Sequence, residues 1–304
     1  MKKHMLIGSI ALTLMGTAAH ADTEKSLTMF TLGVESVQYS ENTGAGITAS
    51  GKNMLNLTQK SLGYTAVSDD FGFYITTIST LTANQVTESW AMGQYGTVQT
   101  NQRKVMLTDL HVQAAWMIQD SVQLLAGLGM NRMSFSRSGF TYPKGTRGVA
   151  TTNTANQVTG FRNDPNGPIQ QLTTTGGYLA RQPGAIFEDS TSLMAEIGVN
   201  YDSFFQHTNG LRFIGSARAA IPVYYYVTNS NYPNVSWSNA FKGYNLHADL
   251  GLGYQLKDNF DLIMSVSGDY RYRPATSVDA ATGGFVPNVT VTIARLTAGL
   301  AWSF

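Results

Sequence analysis

Apolar and polar residues alternate with a period of two along several stretches of the chain. In the segment VMLTDLHVQAAWMI, the even-numbered positions of 106–118 are mostly apolar, whereas the odd positions include Asp109, His111 and Gln113. Further alternating segments begin at Leu193, Leu211, Tyr244 and Phe260. A period of two puts successive side chains on opposite faces, so these segments are predicted to be β-strands with one apolar and one polar face.

The length of these strands and the spacing between them point to a membrane. Strands of soluble proteins average about 5 to 6 residues, whereas a strand that crosses a bilayer needs about 9 to 11 residues. The alternating segments are of the longer kind. Short connections follow Ile118, Phe205 and Leu256, and long polar ones occupy 137–190, 228–240 and 275–288. Short connections at one end and long ones at the other are typical of transmembrane barrels.

We therefore predict an all-β fold, a transmembrane antiparallel up-and-down β-barrel of ten strands. The predicted strands are 28–40, 57–67, 71–82, 104–118, 122–135, 191–204, 211–226, 241–256, 259–273 and 289–304. The first three alternate weakly, and the apolar parity shifts between Val34 and Val37, which we interpret as a β-bulge. Eight or twelve strands are the alternatives.

Aromatic residues are predicted to mark the two rims of the lipid-facing surface. Those near the short connections are Trp116, Tyr201, Tyr254, Phe260, Trp302 and Phe304, and those near the long connections are Tyr225, Tyr244 and Tyr272. Tyr244 and Tyr254 are ten residues apart, which is about 33 Å along a strand. A tilted strand of this length spans an apolar band about 25 Å tall.

The N-terminal residues have the pattern of an export signal. Lys2 and Lys3 precede an apolar stretch, and the small residues Ala19 and Ala21 follow it. We predict a signal peptide at 1–21 and a barrel domain at 22–304. Without Lys2 and Lys3, 18 basic residues face 19 acidic ones, and the chain has no cysteine. This balance does not favour a nucleic-acid partner, and the fold is expected to need neither disulfides nor thiol chemistry.

Taken together, these features resemble those of Gram-negative outer-membrane β-barrel proteins. The resemblance extends to the final residues LTAGLAWSF, in which every second residue is apolar and the last is aromatic. It implies location in the cell outer membrane and contact with its lipid and lipopolysaccharide. It also implies that Trp302 and Phe304 form an assembly signal that the barrel-assembly machinery reads.

The polar face of the later strands carries charges of both signs and is predicted to fill the lumen with ion pairs. The acidic residues are Glu196, Asp202, Asp249, Asp261 and Asp269, and the basic residues are Arg212, Arg218, Arg271, Arg273 and Arg295. Buried charges persist when they are paired, whereas a selectivity ring gathers one sign at one level. We therefore interpret this set as a structural ion-pair network.

Two sequence pairs combine Asp and His on the lumen face: Asp109 with His111, and His247 with Asp249. They resemble, in part, the site of the omptin proteases, which are ten-stranded barrels with an Asp-Asp and an Asp-His pair. Here the pairs differ in composition, and they are predicted at bilayer depth instead of the extracellular mouth. We assign no catalytic residue, no metal ligand and no cofactor, and interpret the four residues as a hydrogen-bonded polar cluster of the lumen.

The long connection 137–190 is predicted to lie outside the cell. It is rich in Thr, Gly and Asn and also contains several aromatic residues, so it is expected to fold as a lid or a binding surface. The sequence thus favours a non-enzymatic barrel with a largely plugged lumen that acts through extracellular loops or as a structural membrane component. A narrow pore for small solutes or ions and an omptin-like membrane-embedded hydrolase are the alternatives.

Overall fold

Ten long strands account for most of the computed structural model. It describes residues 26–42, 47–92, 97–141, 148–152, 158–163, 171–172, 178–179, 185–206, 210–230, 232–257, 259–279 and 285–304. The predicted signal at 1–21 lies outside these residues. The strands, numbered β1 to β10, are Ser26–Asn42, Met54–Ser68, Phe71–Thr82, Thr97–Gln119, Val122–Thr141, Ala185–Asp202, Leu211–Asn229, Tyr244–Lys257, Phe260–Arg273 and Asn288–Ser303. No helix among the described residues is long and apolar enough to cross a membrane.

The strands form a closed barrel. Each strand pairs antiparallel with the next in the chain, and β10 pairs with β1 from Leu27↔Ser303 to Asn42↔Asn288. Ser26 and Phe304 exchange two backbone hydrogen bonds of 3.1 Å each at the end of this seam. The prediction of ten strands in an up-and-down barrel is confirmed, and the alternatives of eight and twelve are wrong.

Several strands run further than the sequence pattern predicts at the long-loop end. β4 begins at Thr97, β5 ends at Thr141 and β6 begins at Ala185, so the connection predicted at 137–190 is limited to 142–184. The backbone ladder continues in these extensions. Beyond the lipid, neither face has to be apolar, so hydrophobic alternation no longer marks the strand.

Short strands add to this outer part of the sheet. Ile47–Gly51 pairs with Val86–Met92, which pairs with the beginning of β4, and Ser236–Asn239 pairs with the outer end of β7. Within the long connection, Gly148–Thr152 pairs with Val158–Asn163, and Gln171–Leu172 with Tyr178–Leu179. Parts of the connections that appear polar in the sequence are therefore strand.

The side-chain faces differ from the prediction at two places. β1 pairs with both neighbours without a register shift, so the bulge predicted between Val34 and Val37 is wrong. The apolar parity shifts in the sequence because Val37 is apolar although it points inward, where it is buried. A true bulge lies in β7, where the pairing with β6 skips Val223. An extra residue reverses the faces, and Tyr225 is therefore buried inside and does not belong to the outer rim.

The outward face of the barrel is apolar and exposed. Its exposed side chains include Leu32, Leu57, Ile75, Leu128, Ile197, Leu250, Val266 and Leu296. Exposed aromatic residues flank them at the short-turn end, among them Trp116, Tyr201, Tyr254, Trp302 and Phe304, and at the long-loop end, among them Tyr224, Tyr226, Tyr244 and Tyr270. An apolar belt between two aromatic rims is the outer surface expected of a barrel that spans a bilayer.

Candidate functional site

The lumen is filled by side chains, and its lowest part is apolar. The lower apolar layer, at the short-turn end, consists of Leu27, Met29, Tyr64, Ala66, Tyr74, Ala115, Leu125, Phe205, Ile263 and Ala301. Phe205 comes from the turn Ser203–Gln206 and packs edge-on against Tyr64, with ring centroids 5.3 Å apart. The turn between β6 and β7 thus caps the layer from below.

A group of hydrogen-bonded polar residues lies beside the lower apolar layer. Tyr74 donates its hydroxyl to Gln123 Oε1 over 2.7 Å, and Asn200 donates to the same oxygen over 3.0 Å. Arg212 donates to both carboxylate oxygens of Asp202, at 2.8 and 2.5 Å, and to Asp261 at 3.0 Å. The predicted lumen residues Asp202, Asp261 and Arg212 therefore meet in one group.

The middle of the lumen contains ion pairs that cross the barrel. Arg271 on β9 donates to Asp109 on β4 through two bonds of 3.0 and 2.5 Å. Asn131 donates to the same carboxylate over 2.9 Å. Asp109 and Arg271 are both buried. Because β4 and β9 are not neighbours in the sheet, this contact joins opposite parts of the wall.

A second central group surrounds Arg295. Its guanidinium bonds to Asp269 and, over 3.2 Å, to Glu35. Glu35 is fully buried and also accepts bonds from Thr80, at 2.5 Å, and Asn56, at 3.2 Å. Sequence reasoning missed Glu35, although it is the single charged residue of the predicted strand 28–40 and this was the available signal.

The four residues of the predicted polar cluster do not bond to one another. His111 Nδ1 lies 2.8 and 3.0 Å from the two carboxylate oxygens of Glu196, which also accepts a bond of 3.1 Å from Gln113. His247 Nδ1 lies 3.0 Å from Asp269. Asp249 pairs with Lys60, which the sequence analysis also missed. Asp109 pairs with Arg271, as described above. Each member thus has its own partner on another strand, and neither predicted Asp-His pair forms.

Two arginines of the predicted network are not brought to a carboxylate. Among the described residues, neither Arg218 nor Arg273 has an acidic partner within salt-bridge distance, and the Nε atom of each is buried without a hydrogen-bond partner. Arg218 lines a small lumen cavity together with Lys60 and Asn200. Arg273 lines another.

The outer ion cluster, which the sequence analysis missed, consists of Glu41, Glu88, Arg103 and Arg137. Arg137 donates to Glu88 over 2.5 and 3.1 Å and pairs with Glu41 over 3.1 Å. Arg103 donates to Glu88 over 3.2 Å. Glu88 belongs to the short strand above the lipid belt. Burial alone would raise its pKa, but Arg137, Asn101 and Arg103 together hold the pKa of this carboxyl below its usual range.

Glu188 lies near the outer ion cluster but has a different environment. Leu193, on the same strand, pairs with Tyr224 of the outer aromatic rim, and Glu188 lies beyond it toward the outside. Burial, and then the nearby charge of Glu41, raises the pKa of Glu188 to about 7. Asn229 donates one bond of 3.0 Å to this carboxyl, which does not offset the burial.

The described residues contain no group of three or more His, Asp or Glu side chains arranged to hold a metal ion. Their two histidines, His111 and His247, lie on barrel strands and bond to carboxylates of the lumen. In the whole sequence, the connections at the long-loop end, 43–53, 83–96, 142–184, 230–243 and 274–287, contain no histidine. An Asp-His pair at the outer mouth therefore has no histidine available from these connections.

Comparison with known proteins agrees with the architecture. No protein-family model matches the chain, and no curated protein matches its sequence. The outer membrane protease OmpT from Escherichia coli matches in structure with a TM-score of 0.60 and 14% identity, over 95% of this chain and 99% of that chain. The fold is that of a Gram-negative outer-membrane β-barrel. Its apolar belt and aromatic rims are those of a barrel that spans a membrane.

Other solved structures match with lower scores. The translocator domain of the autotransporter NalP from Neisseria meningitidis has a TM-score of 0.39 and 11% identity, over 94% of this chain and 90% of that chain. The attachment invasion locus protein Ail of Yersinia pestis has a TM-score of 0.31 and 11% identity, over 91% of this chain and 99% of that chain.

Proposed function

We propose that this outer-membrane barrel is non-enzymatic, that its lumen is a closed structural core, and that it acts at the cell surface through the connections at the long-loop end. The observation that carries this proposal is the filling of the lumen. An apolar layer closes the short-turn end, and ion pairs occupy the levels above it. A barrel of about eight strands has an interior just wide enough for side chains, whereas wide channels need about 16 to 18.

The arrangement of charges supports a core more than a conduction path. The central pairs join opposite signs, as in Asp109 with Arg271 and Glu35 with Arg295. Selectivity filters instead gather charges of one sign at one level. Charges in a low-dielectric interior are retained when they are paired and hydrogen-bonded, and these carboxylates accept further bonds from Asn131, Asn56 and Thr80.

The similarity to a protease fold does not lead us to propose proteolysis. A fold hosts many functions, so an enzyme must be argued from its site. The two described histidines bond to Glu196 and Asp269 inside the barrel, and the long connections contain no histidine.

The outward face and the seam support the proposed partners. Trp302 and Phe304 are exposed on the outside of the closing strand, where both lipid and an assembly factor have access to them. We propose that the belt contacts outer-membrane lipid and lipopolysaccharide, that the barrel-assembly machinery recognises these two residues, and that an extracellular ligand binds the long connections.

Conductance in a planar bilayer tests the closed lumen. Wild-type protein refolded from the full mature chain should show no steady current. A variant that removes the cap, Phe205→Ala combined with Tyr64→Ala, should leak, because it opens the lower apolar layer. The matched control Phe213→Ala removes an exposed outer aromatic residue of the adjacent strand and should stay closed. A steady, ion-selective current from the wild type would overturn the proposal in favour of a small-solute pore.

A further inference from the structure

Arg273 is the last residue of β9 and lies at the outer end of the lumen. Its guanidinium stacks over the ring of Tyr225, 4.9 Å from the centroid. No described carboxylate pairs with it, and its Nε atom is buried without a hydrogen-bond partner. Arg212, Arg271 and Arg295, which also face the lumen, all bond to carboxylates. The guanidinium of Arg273 thus contacts an aromatic ring but no carboxylate of the described residues.

The cavity beside Arg273 is lined by hydrogen-bond donors, among them the unpartnered Nε atoms of two arginines. It is a small cavity, and its polar lining consists of Asn131, Ser190, Tyr225, Arg271 and Arg273. No acidic residue is part of that lining. Arg271 uses its two terminal nitrogens on Asp109, but its Nε is buried without a partner. Two guanidinium groups, a phenol and a serine hydroxyl therefore surround one space.

We propose that this cavity binds a small tetrahedral oxyanion of the phosphate or sulfate class. A planar guanidinium presents its N–H groups in a fork that matches two oxygens of such an anion. Asp109 and Asp269 already contact Arg271 and Arg295, and no described carboxylate contacts Arg273. An oxyanion in the cavity would therefore be the direct ionic partner of Arg273.

The position of the cavity indicates access from outside the cell. Arg273 is followed directly by the connection 274–287. In this connection, the Thr276 N–H donates to the Val286 carbonyl and the Val286 N–H donates to Thr276 Oγ1, each over 2.9 Å. A small apolar group of Tyr225, Val227, Trp237 and Val286 lies beside it. The lower apolar layer separates it from the short-turn end, so we expect the anion to enter between the outer connections.

Titration of the refolded full-length barrel with inorganic phosphate or sulfate tests the site. The protein is held in a zwitterionic detergent at fixed ionic strength, and binding is followed by calorimetry. We expect one saturable site in the wild type and an affinity at least tenfold lower in Arg273→Gln. The control Arg132→Gln removes an exposed outward arginine and should bind like the wild type. Heat-modifiable migration on gels verifies that each variant is folded.

A second titration distinguishes a phosphate carried by a sugar from the free anion. Glucosamine 1-phosphate that binds more tightly than inorganic phosphate would assign the site to a phosphate carried by a sugar, and equal affinities would assign it to the free anion. The proposal is overturned if the folded wild type shows no saturable binding, if Arg273→Gln binds normally, or if Arg132→Gln loses binding to the same degree. The measurement involves no pore, so its outcome is independent of the conductance test.

Discussion

Asp109→Asn should destabilise the barrel strongly if the lumen is a filled core. The substitution removes the charge that Arg271 bonds to from across the barrel, at 3.0 and 2.5 Å. The Asp109 and Arg271 side chains are only 1% and 6% exposed. Breaking a buried pair by removing one partner costs about 3 to 5 kcal/mol, because the remaining charge is uncompensated.

The structure also indicates where in this range the result should lie. Asp269 Oδ1 is 3.8 Å from the Arg271 guanidinium and offers partial compensation, so a value near the lower limit, about 3 kcal/mol, is expected. The double variant Asp109→Leu with Arg271→Met removes both charges. It should recover most of the loss, since apolar replacement of a whole buried pair is often close to neutral.

Equilibrium unfolding in urea, followed by tryptophan fluorescence of the barrel in lipid vesicles, measures these differences. The matched control is Asp189→Asn, which breaks the Arg132–Asp189 pair of 3.5 Å between side chains 42% and 49% exposed. Such an exposed pair contributes about 1 kcal/mol or less. A change of that small size for Asp109→Asn as well would mean that water screens the central pair, and the reasoning for a filled lumen would be refuted.

Three further outcomes are expected. Phe304→Lys should lower the amount of heat-modifiable protein in the outer membrane, because the exposed aromatic of the closing strand is lost; normal levels on gels of membrane fractions would contradict this. Protease added to intact cells should cut within 142–184 and spare the strands, whose backbone is hydrogen-bonded and shielded. The masses of the fragments show where the chain is cut, and complete protection would mean that the segment is folded into the lumen. Burial raises the pKa of Glu188 from 4.5 to about 7 in the folded protein. Between these two pH values the folded state therefore binds more protons than the unfolded state. The free energy of unfolding should fall by about 3 kcal/mol as the pH rises from 4.5 to 7. Urea midpoints at pH 5 and 8 measure the change, and Glu188→Gln should remove it; an unchanged pH dependence in that variant would exclude Glu188 as its source.

Most of the barrel could be predicted from the sequence, because its signal is local. A strand that faces lipid on one side must alternate within itself, so β3, β9 and β10 were predicted to within one residue of their observed limits. Alternation does not predict the parts of the strands that extend beyond the lipid. The extension of β4 back to Thr97 depends on pairing with Val86–Met92 and β5, which no hydrophobic pattern shows.

The ion pairs were predicted as a set, but the partners were not. Alternation predicted that Asp109, Glu196 and Arg271 face inward, and all three are buried. It did not show that Glu196 bonds to His111, or that Asp109 bonds to Arg271 on a strand that is not its neighbour. Which side chains meet across a lumen depends on strand tilt and stagger around the closed barrel, and these are properties of the whole sheet.

The sequence by itself predicted ten strands, with eight and twelve as alternatives, most of the inward and outward faces, and the lipid-facing belt, since these follow from a period of two within each segment. Only the tertiary structure decided that a bulge opposite Leu193 turns Tyr225 inward. It alone brought Glu88 to Arg137 and left Arg273 without a carboxylate. The physical reason is the range of the interactions: alternation acts between neighbouring residues, whereas closure brings together charges that lie far apart along the chain.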